Sequence, residues 1–110
     1  MAYDEDLANR IREMLADQDA VTEKRMFGGL AFLVHGNMAV AASRKGGVLV
    51  RTDPAGSGDL VAVPGVERMV MGGREMENWL YVESGEVQTK RDLAPWVERG
   101  VTFAATLAPK

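Results

Sequence analysis

Cysteine is absent from this chain of 110 residues. Without thiols the chain can form neither a disulfide framework nor a zinc site with thiolate ligands. Because the sequence contains one histidine, a metal site built from several imidazoles is excluded as well. A chain without cysteine fits a reducing compartment, and we expect a cytoplasmic protein that carries no cofactor or metal.

Long apolar runs and a basic charge balance are also missing. No apolar stretch reaches the roughly 20 residues that a membrane-spanning helix needs. The first residues, MAYDEDLANRIREML, are acidic and lack the basic and apolar regions of a signal peptide. The formal net charge is −3, whereas nucleic-acid-binding domains are usually basic. We therefore expect no membrane association and no direct binding of nucleic acid.

The most regular pattern in the sequence is the alternation of side chains over residues 30–35, 38–43 and 48–51. Runs of period two are typical of β-strands, because successive side chains point to opposite faces of a sheet. The two breaks, at 35–37 and 44–47, contain glycine or asparagine and predict tight hairpin turns. Strands joined by such short turns must be antiparallel.

Helical spacing appears at both ends of the chain. An apolar stripe predicts a first helix from about Asp4 to Asp17. A last helix is predicted to start near Asp92, which would be its N-cap, and to stop at Pro109. Between the sheet pattern and this helix we predict a short helix around 56–62, with Ser57 as its N-cap.

Two further strands complete the prediction, over 66–71 and 78–83, with a loop at 72–75 between them. The sum is a two-layer α+β domain over residues 1–110. Its antiparallel sheet has about five strands, and the N-terminal, middle and C-terminal helices pack on it.

Gly28-Gly29 interrupts the strand pattern and has two interpretations. The functional one is a phosphate loop, which would need a helix directly after the glycines to supply free N–H groups. The structural one is a bend or a close backbone contact. Because strand-like alternation follows, we favour the structural interpretation.

Catalytic signatures are weak throughout. His35 is placed in a predicted turn, where side chains are usually solvated. No serine has the context of an activated nucleophile. We therefore expect that the protein is not an enzyme.

Three arginines and one tryptophan are the candidate interaction residues: Arg25, Arg51, Arg74 and Trp79. Arginine offers planar, bidentate donors for carboxylate or phosphate. If the three arginines converge, they form an anion site. The alternative, which we favour, is that each pairs with a local carboxylate such as Asp53, Glu75 or Glu77.

Met69, Met71 and Met76 precede Trp79 closely. Such a cluster can form an adaptable binding surface, although methionines more often fill gaps in a core. We expect Trp79 and Trp96 to anchor the core where helix meets sheet, and an exposed Trp79 would instead be an interface hot spot.

The motif Met26-Phe27-Gly28-Gly29 is accompanied by Gly36, Met38, the segment 51–53, Met76 and Trp79. With these residues the chain resembles the N-terminal domain of the TfoX/Sxy family of bacterial competence regulators. The resemblance implies an antiparallel sheet with helices on one side.

The resemblance also implies a regulatory role through a protein partner, namely a transcription regulator or the transcription machinery. Longer family members carry a second, helical domain, and this chain is expected to stand alone, as a homodimer or with a separately encoded partner. The alternative function is a small-ligand or anion-binding module lined by arginines.

Overall fold

The computed structural model describes residues 3–18, 20–26, 28–53, 55, 57–71 and 73–108. Its α-helices are α1 (Glu5–Met14), α2 (Ser57–Leu60) and α3 (Lys90–Ala105). Its strands are β1 (Val21–Met26), β2 (Gly29–Val34), β3 (Asn37–Ala42), β4 (Val48–Arg51), β5 (Val66–Met71) and β6 (Arg74–Val82). They form one antiparallel sheet in the order β1-β2-β3-β4-β6-β5.

The α+β class predicted from the sequence is confirmed. The sheet has six strands in the described part of the chain, where about five were predicted. The additional strand is β1, which was not among the predicted strands. Its residues 22–25 are polar and exposed at the edge of the sheet, so no apolar alternation marked it.

The predicted hairpins are present. The turn between β2 and β3 is formed by His35 and Gly36, with φ angles of 50° and 82°. These left-handed conformations match the turn type that joins antiparallel strands most closely. His35 is exposed, as predicted for a turn residue.

The connection between β5 and β6 differs from the loop predicted at 72–75. β6 begins at Arg74, so Arg74 and Glu75 belong to a strand and not to the predicted loop; Gly72 lies outside the described residues. Arg74 pairs with Met71 across the hairpin. The alternation predicted for the end of β6 is confirmed, because Leu80 and Val82 are fully buried while Trp79 and Tyr81 are half-buried.

Helix α1 starts as its sequence indicates. The carboxylate of Asp4 accepts hydrogen bonds from the backbone N–H groups of Asp6 and Leu7, at 2.9 and 3.2 Å. Such N-caps satisfy donors that have no partner within the helix. Leu7 and Ile11 are buried beneath the helix.

Helix α3 starts earlier than predicted. Its N-cap is Thr89, whose hydroxyl accepts a hydrogen bond from the backbone N–H of Asp92 at 3.1 Å. Asp92 is therefore inside the first turn and is not the cap. The predicted stop at Pro109 and the capping side chain of Ser57 lie outside the described part of the chain.

Gly100 of α3 lies directly against the sheet. A Cβ atom placed on it would be 2.5 Å from the carbonyl oxygen of Ala39 and 2.7 Å from Cγ1 of Val40. Only glycine leaves room for this approach, which explains why a poor helix former stands in the middle of the helix.

Gly28 and Gly29 are structural. Gly28 has a φ of 77° in the turn after β1, and Gly29 begins β2 opposite Met26. A Cβ atom on Gly29 would be 2.2 Å from the carbonyl oxygen of Ala42. A strand follows these glycines, so they lack the helix N-terminus that a phosphate loop requires.

The main core lies between the helices and one face of the sheet. Its buried side chains come from α1, α3 and every strand except β1: they include Leu7, Ile11, Phe32, Val40, Val50, Leu80, Leu93 and Val97. This arrangement confirms the predicted two layers.

The opposite side of the sheet, which we call the open face, has a cluster that contains strand residues alone. Ala31, Ala41 and Leu49 form its buried centre. Partly buried residues surround them: Met26, Leu33, Met38, Met69 and Tyr81. No helix residue belongs to this cluster, and Lys45, from the turn between β3 and β4, lies over the ring of Tyr81 with its Nζ 5.6 Å from the ring centre.

Candidate protein-interaction site

Arg51 and Trp79 meet at one end of the sheet. Arg51 is the last residue of β4, and the strand register places it opposite Trp79 of β6. The next backbone group, the N–H of Thr52, donates a hydrogen bond to the carbonyl of Asn78 at 2.9 Å. Strand pairing thus fixes the backbone on both sides of the two residues.

The guanidinium group of Arg51 lies close to two aromatic rings. Its Cζ is 5.3 Å from the ring centre of Trp79 and 6.0 Å from that of Phe103. A cation at this distance from a ring is stabilised by roughly 0.5–2 kcal/mol. The rings belong to β6 and α3, so Arg51 links the sheet to the C-terminal helix.

The polar contacts of this guanidinium group are few. Nη1 donates to the carbonyl of Met38 over 3.4 Å, which is a long hydrogen bond. Nε is buried and has no hydrogen-bond partner among the described residues. Burial lowers the pKa of Arg51 from its ordinary value, because desolvation disfavours the charged form.

Arg25 and Arg74 do not join this site. Arg25 lies on edge strand β1, and two strands separate β1 from β4. Arg74 starts β6, five residues before Trp79, which is roughly 17 Å along an extended strand. Both side chains are exposed. The anion site that required all three arginines to converge is therefore not formed.

The predicted local ion pairs are also not those observed. Oε1 of Glu75 lies 3.8 Å from Nη1 of Arg68, so Glu75 pairs with Arg68 and not with one of the three candidate arginines. The carboxylate of Asp53 accepts a hydrogen bond from the backbone N–H of Ala55 at 2.9 Å. The side chain of Glu77 lies outside the described residues. Among the described side chains, no carboxylate is within ion-pair distance of Arg51.

The two tryptophans have different places. Trp96 packs against the main core, as predicted. Trp79 is half-buried at the end of the sheet beside Arg51. Met69 belongs to the open-face cluster, and Met76 is half-buried in β6; the side chain of Met71 lies outside the described residues.

Phe103 is the site residue that sequence reasoning missed. It follows Gly100 by three positions, so helical spacing places both on one side of α3. Gly100 touches β3, and this close contact brings Phe103 near the end of β4. The glycine was the available signal, because it marks the line along which the helix meets the sheet.

A surface depression of about 560 Å³ adjoins the site. Thr52 and Phe103 form part of its wall, together with Asp53, Glu98 and Arg99. Within the described residues there is no group of three or more side chains that could hold a metal ion. No described helix is both long and apolar enough to cross a membrane.

The geometry defines a small α+β domain with a helix-covered sheet face, an open face and an arginine–aromatic site at the sheet end. The family model of the TfoX N-terminal domain matches residues 13–104, and the chain belongs to this family. Comparison with curated proteins and with solved structures gave no significant match.

Proposed function

We propose that this protein is a non-catalytic regulatory domain that binds a protein partner through Arg51, Trp79 and Phe103. One observation carries the proposal: among the described residues, the half-buried guanidinium group of Arg51 has a buried Nε without a hydrogen-bond partner and no carboxylate within ion-pair distance. A buried charge is stable when it is paired. A carboxylate on a partner would complete this site with a charge-assisted hydrogen bond.

The composition of the site supports binding of a protein. Arginine and tryptophan are enriched among the residues that dominate binding energy at protein interfaces. The aromatic rings hold the guanidinium group in place, which reduces the entropy lost when a partner binds. Membership of the TfoX family favours a transcription regulator or the transcription machinery as the partner, with competence as the process and the cytoplasm as the location.

The alternative of a small-ligand or anion-binding module rested on three converging arginines. Two strands lie between Arg25 and Arg51, and Arg74 lies five residues before Trp79 on β6, so the placement of the arginines favours the protein-partner proposal over this alternative. The same separation makes Arg25 and Arg74 suitable control positions, because each is an exposed arginine of this chain.

Affinity capture from nuclease-treated host lysate, followed by mass spectrometry, tests the proposal. We expect wild-type protein to retain an acidic-surfaced transcription protein. R51A and W79A should weaken its retention by roughly 30-fold, as hot-spot substitutions do, while R25A and R74A should retain it fully. Because Arg51 also contacts β3, a thermal melt of each variant checks folding, and R51K tests the loss of the planar group without loss of charge.

Retention of the chain itself and nothing else would contradict the proposal. Equal retention by R51A and R25A would show that a partner binds elsewhere.

A further inference from the structure

Asn37, the first residue of β3, is a polar residue in a buried position, with only 2% of it exposed. Its side-chain Nδ2 donates a hydrogen bond to the backbone carbonyl of Ala108 at 2.9 Å. The two residues are 71 positions apart in the chain. Buried polar groups are stable when they are hydrogen-bonded. This bond therefore links the segment that follows α3, residues 106–108, to the start of β3.

The segment 106–108 is in turn linked to Phe103 in the last turn of α3. The carbonyl of Phe103 accepts hydrogen bonds from the backbone N–H of Thr106 at 3.0 Å and from its hydroxyl at 2.6 Å. The N–H of Leu107 donates to the carbonyl of Ala104 at 3.1 Å. These bonds satisfy carbonyl groups that have no partner within the helix. The segment and the last turn of α3 are therefore held together.

The start of β3 also contacts Arg51. Met38, the residue after Asn37, accepts a hydrogen bond from Nη1 of Arg51 through its carbonyl, at 3.4 Å. The Cζ of Arg51 lies 6.0 Å from the ring centre of Phe103. Arg51 thus lies between the start of β3 and the end of α3, and the hydrogen bond of Asn37 joins the same two elements.

Apolar packing holds the two halves of α3 differently. The first half contributes Leu93 and Val97 to the main core. The second half contributes to a smaller cluster, whose buried members are Val34, Ala39 and Ala104. Because alanine and valine bury less apolar surface than leucine, packing holds this half less firmly. Helix ends fray easily, so the last turn depends more on the hydrogen bond of Asn37.

From this ring of contacts we propose that Asn37 is a positioning residue of the Arg51 site and that the segment 106–108 regulates this site. By holding Ala108, Asn37 keeps Phe103 beside the guanidinium group of Arg51. When the hydrogen bond is lost, the last turn of α3 frays and Arg51 loses one of its two aromatic neighbours. The inference rests on the proposed function, because it concerns the same binding site.

The variant N37A tests the positioning role by NMR. It removes the donor and adds no bulk to a buried position. The Nε–H group of Arg51 is buried close to two aromatic rings, so its signal is sensitive to their position. We expect N37A to shift this signal, and hydrogen exchange at the N–H of Leu107 to become roughly tenfold faster.

Two groups of the same molecule serve as internal controls. The indole N–H signal of Trp96, which packs against the main core, should stay in place. The N–H of Leu93, which is bonded to the carbonyl of Thr89 at the other end of α3, should exchange at its wild-type rate. A general loss of stability would instead affect both ends of the helix.

N9A is the matched control variant. Asn9 is exposed on α1, and its side-chain oxygen accepts a hydrogen bond from Nη1 of Arg12 at 2.7 Å. The substitution therefore also removes one side-chain hydrogen bond of an asparagine. We expect it to leave the signal of Arg51 and the exchange at Leu107 unchanged. An unchanged Arg51 signal in N37A, or an equal change in N9A, overturns the proposal.

Hydrogen exchange of the wild type needs no variant and decides the case in which N37A does not fold. The N–H groups of Thr106 and Leu107 should be protected from exchange, because the segment is held at both of its ends. If these groups exchange as fast as in an unfolded chain, the segment is frayed in the wild type and the proposal is overturned.

Affinity capture separates this proposal from the proposed function. N37A should weaken retention of the partner that R51A releases by roughly threefold to tenfold, and N9A should retain it fully. If R51A releases the partner while N37A retains it, the positioning role is overturned and the proposed function stands. If R51A also retains the partner, the proposed function fails, and the NMR signal of Arg51 still decides whether Asn37 positions it.

Discussion

At the scale of single residues, Gly100 allows helix α3 to pack directly against β3. We expect G100A to lower the free energy of unfolding by about 1–3 kcal/mol, because its Cβ would press on the backbone of β3. Helix propensity alone predicts the opposite effect, a free energy of unfolding that is higher by about 1 kcal/mol, because alanine is the better helix former. Urea denaturation distinguishes the two. G85A is the control, since nothing lies within 4 Å of a Cβ at Gly85; a more stable G100A would contradict the packing.

A second effect at this scale is the ion pair between Arg12 and Glu23. The carboxylate of Glu23 accepts hydrogen bonds from Nε and Nη2 of Arg12, at 2.7 and 2.8 Å, and these lower the pKa of Glu23. Because the pKa of Glu23 is lower in the folded state, the ion pair stabilises the fold at pH values above the ordinary pKa of 4.5. This stabilisation is lost as the pH falls through the pKa of the folded state.

We therefore expect E23Q to be slightly less stable than wild type at neutral pH. The side chains are 42% and 38% exposed, so screening by water keeps the difference below about 1 kcal/mol. Urea titrations should show that the difference disappears well below pH 4.5. E98Q serves as control, because exposed Glu98 forms no ion pair within the described residues. A difference that persists in acid would rule out this pair as its source.

At the scale of elements, the start of α3 depends on Thr89. We expect T89A to cost about 1 kcal/mol, because the N–H of Asp92 loses its acceptor. T89S keeps the hydroxyl and should be close to wild type. Thermal unfolding measures the stability of both variants. If D92A lost more stability than T89A, Asp92 and not Thr89 would be the more important capping residue.

Elements with a strong local pattern were predicted well from sequence. The hairpin between β2 and β3 has apolar alternation on both sides of a turn that contains Gly36, and α1 has an apolar stripe. Edge strand β1 was missed because polar residues at an edge need no apolar alternation. The first residues of β6, which is not an edge strand, were missed for a different reason, since charged residues beside two glycines favour a loop.

At the scale of the whole molecule, the candidate site was predicted only in part. Sequence identified Arg51 and Trp79 as separate candidates, and the register between β4 and β6 brought them together. Strand order keeps Arg25 away from them, and Arg74 lies five residues before Trp79 on β6. No short turn connects β4 to β6, so turn geometry does not fix their register, and the alternation of side chains fixes only which face each residue occupies.

The strand order has a consequence for how the chain folds. The strands β1 to β4 are neighbours in sequence and in space, and so are β5 and β6, so each group can form from local hairpins. The pairing of β4 with β6 is different, because it closes a loop that contains β5. We therefore expect the chain to assemble as two antiparallel units, with the pairing of β4 and β6 as the slow step that joins them. That pairing ends at Arg51 and Trp79, so in this folding order the last step would also complete the proposed binding site.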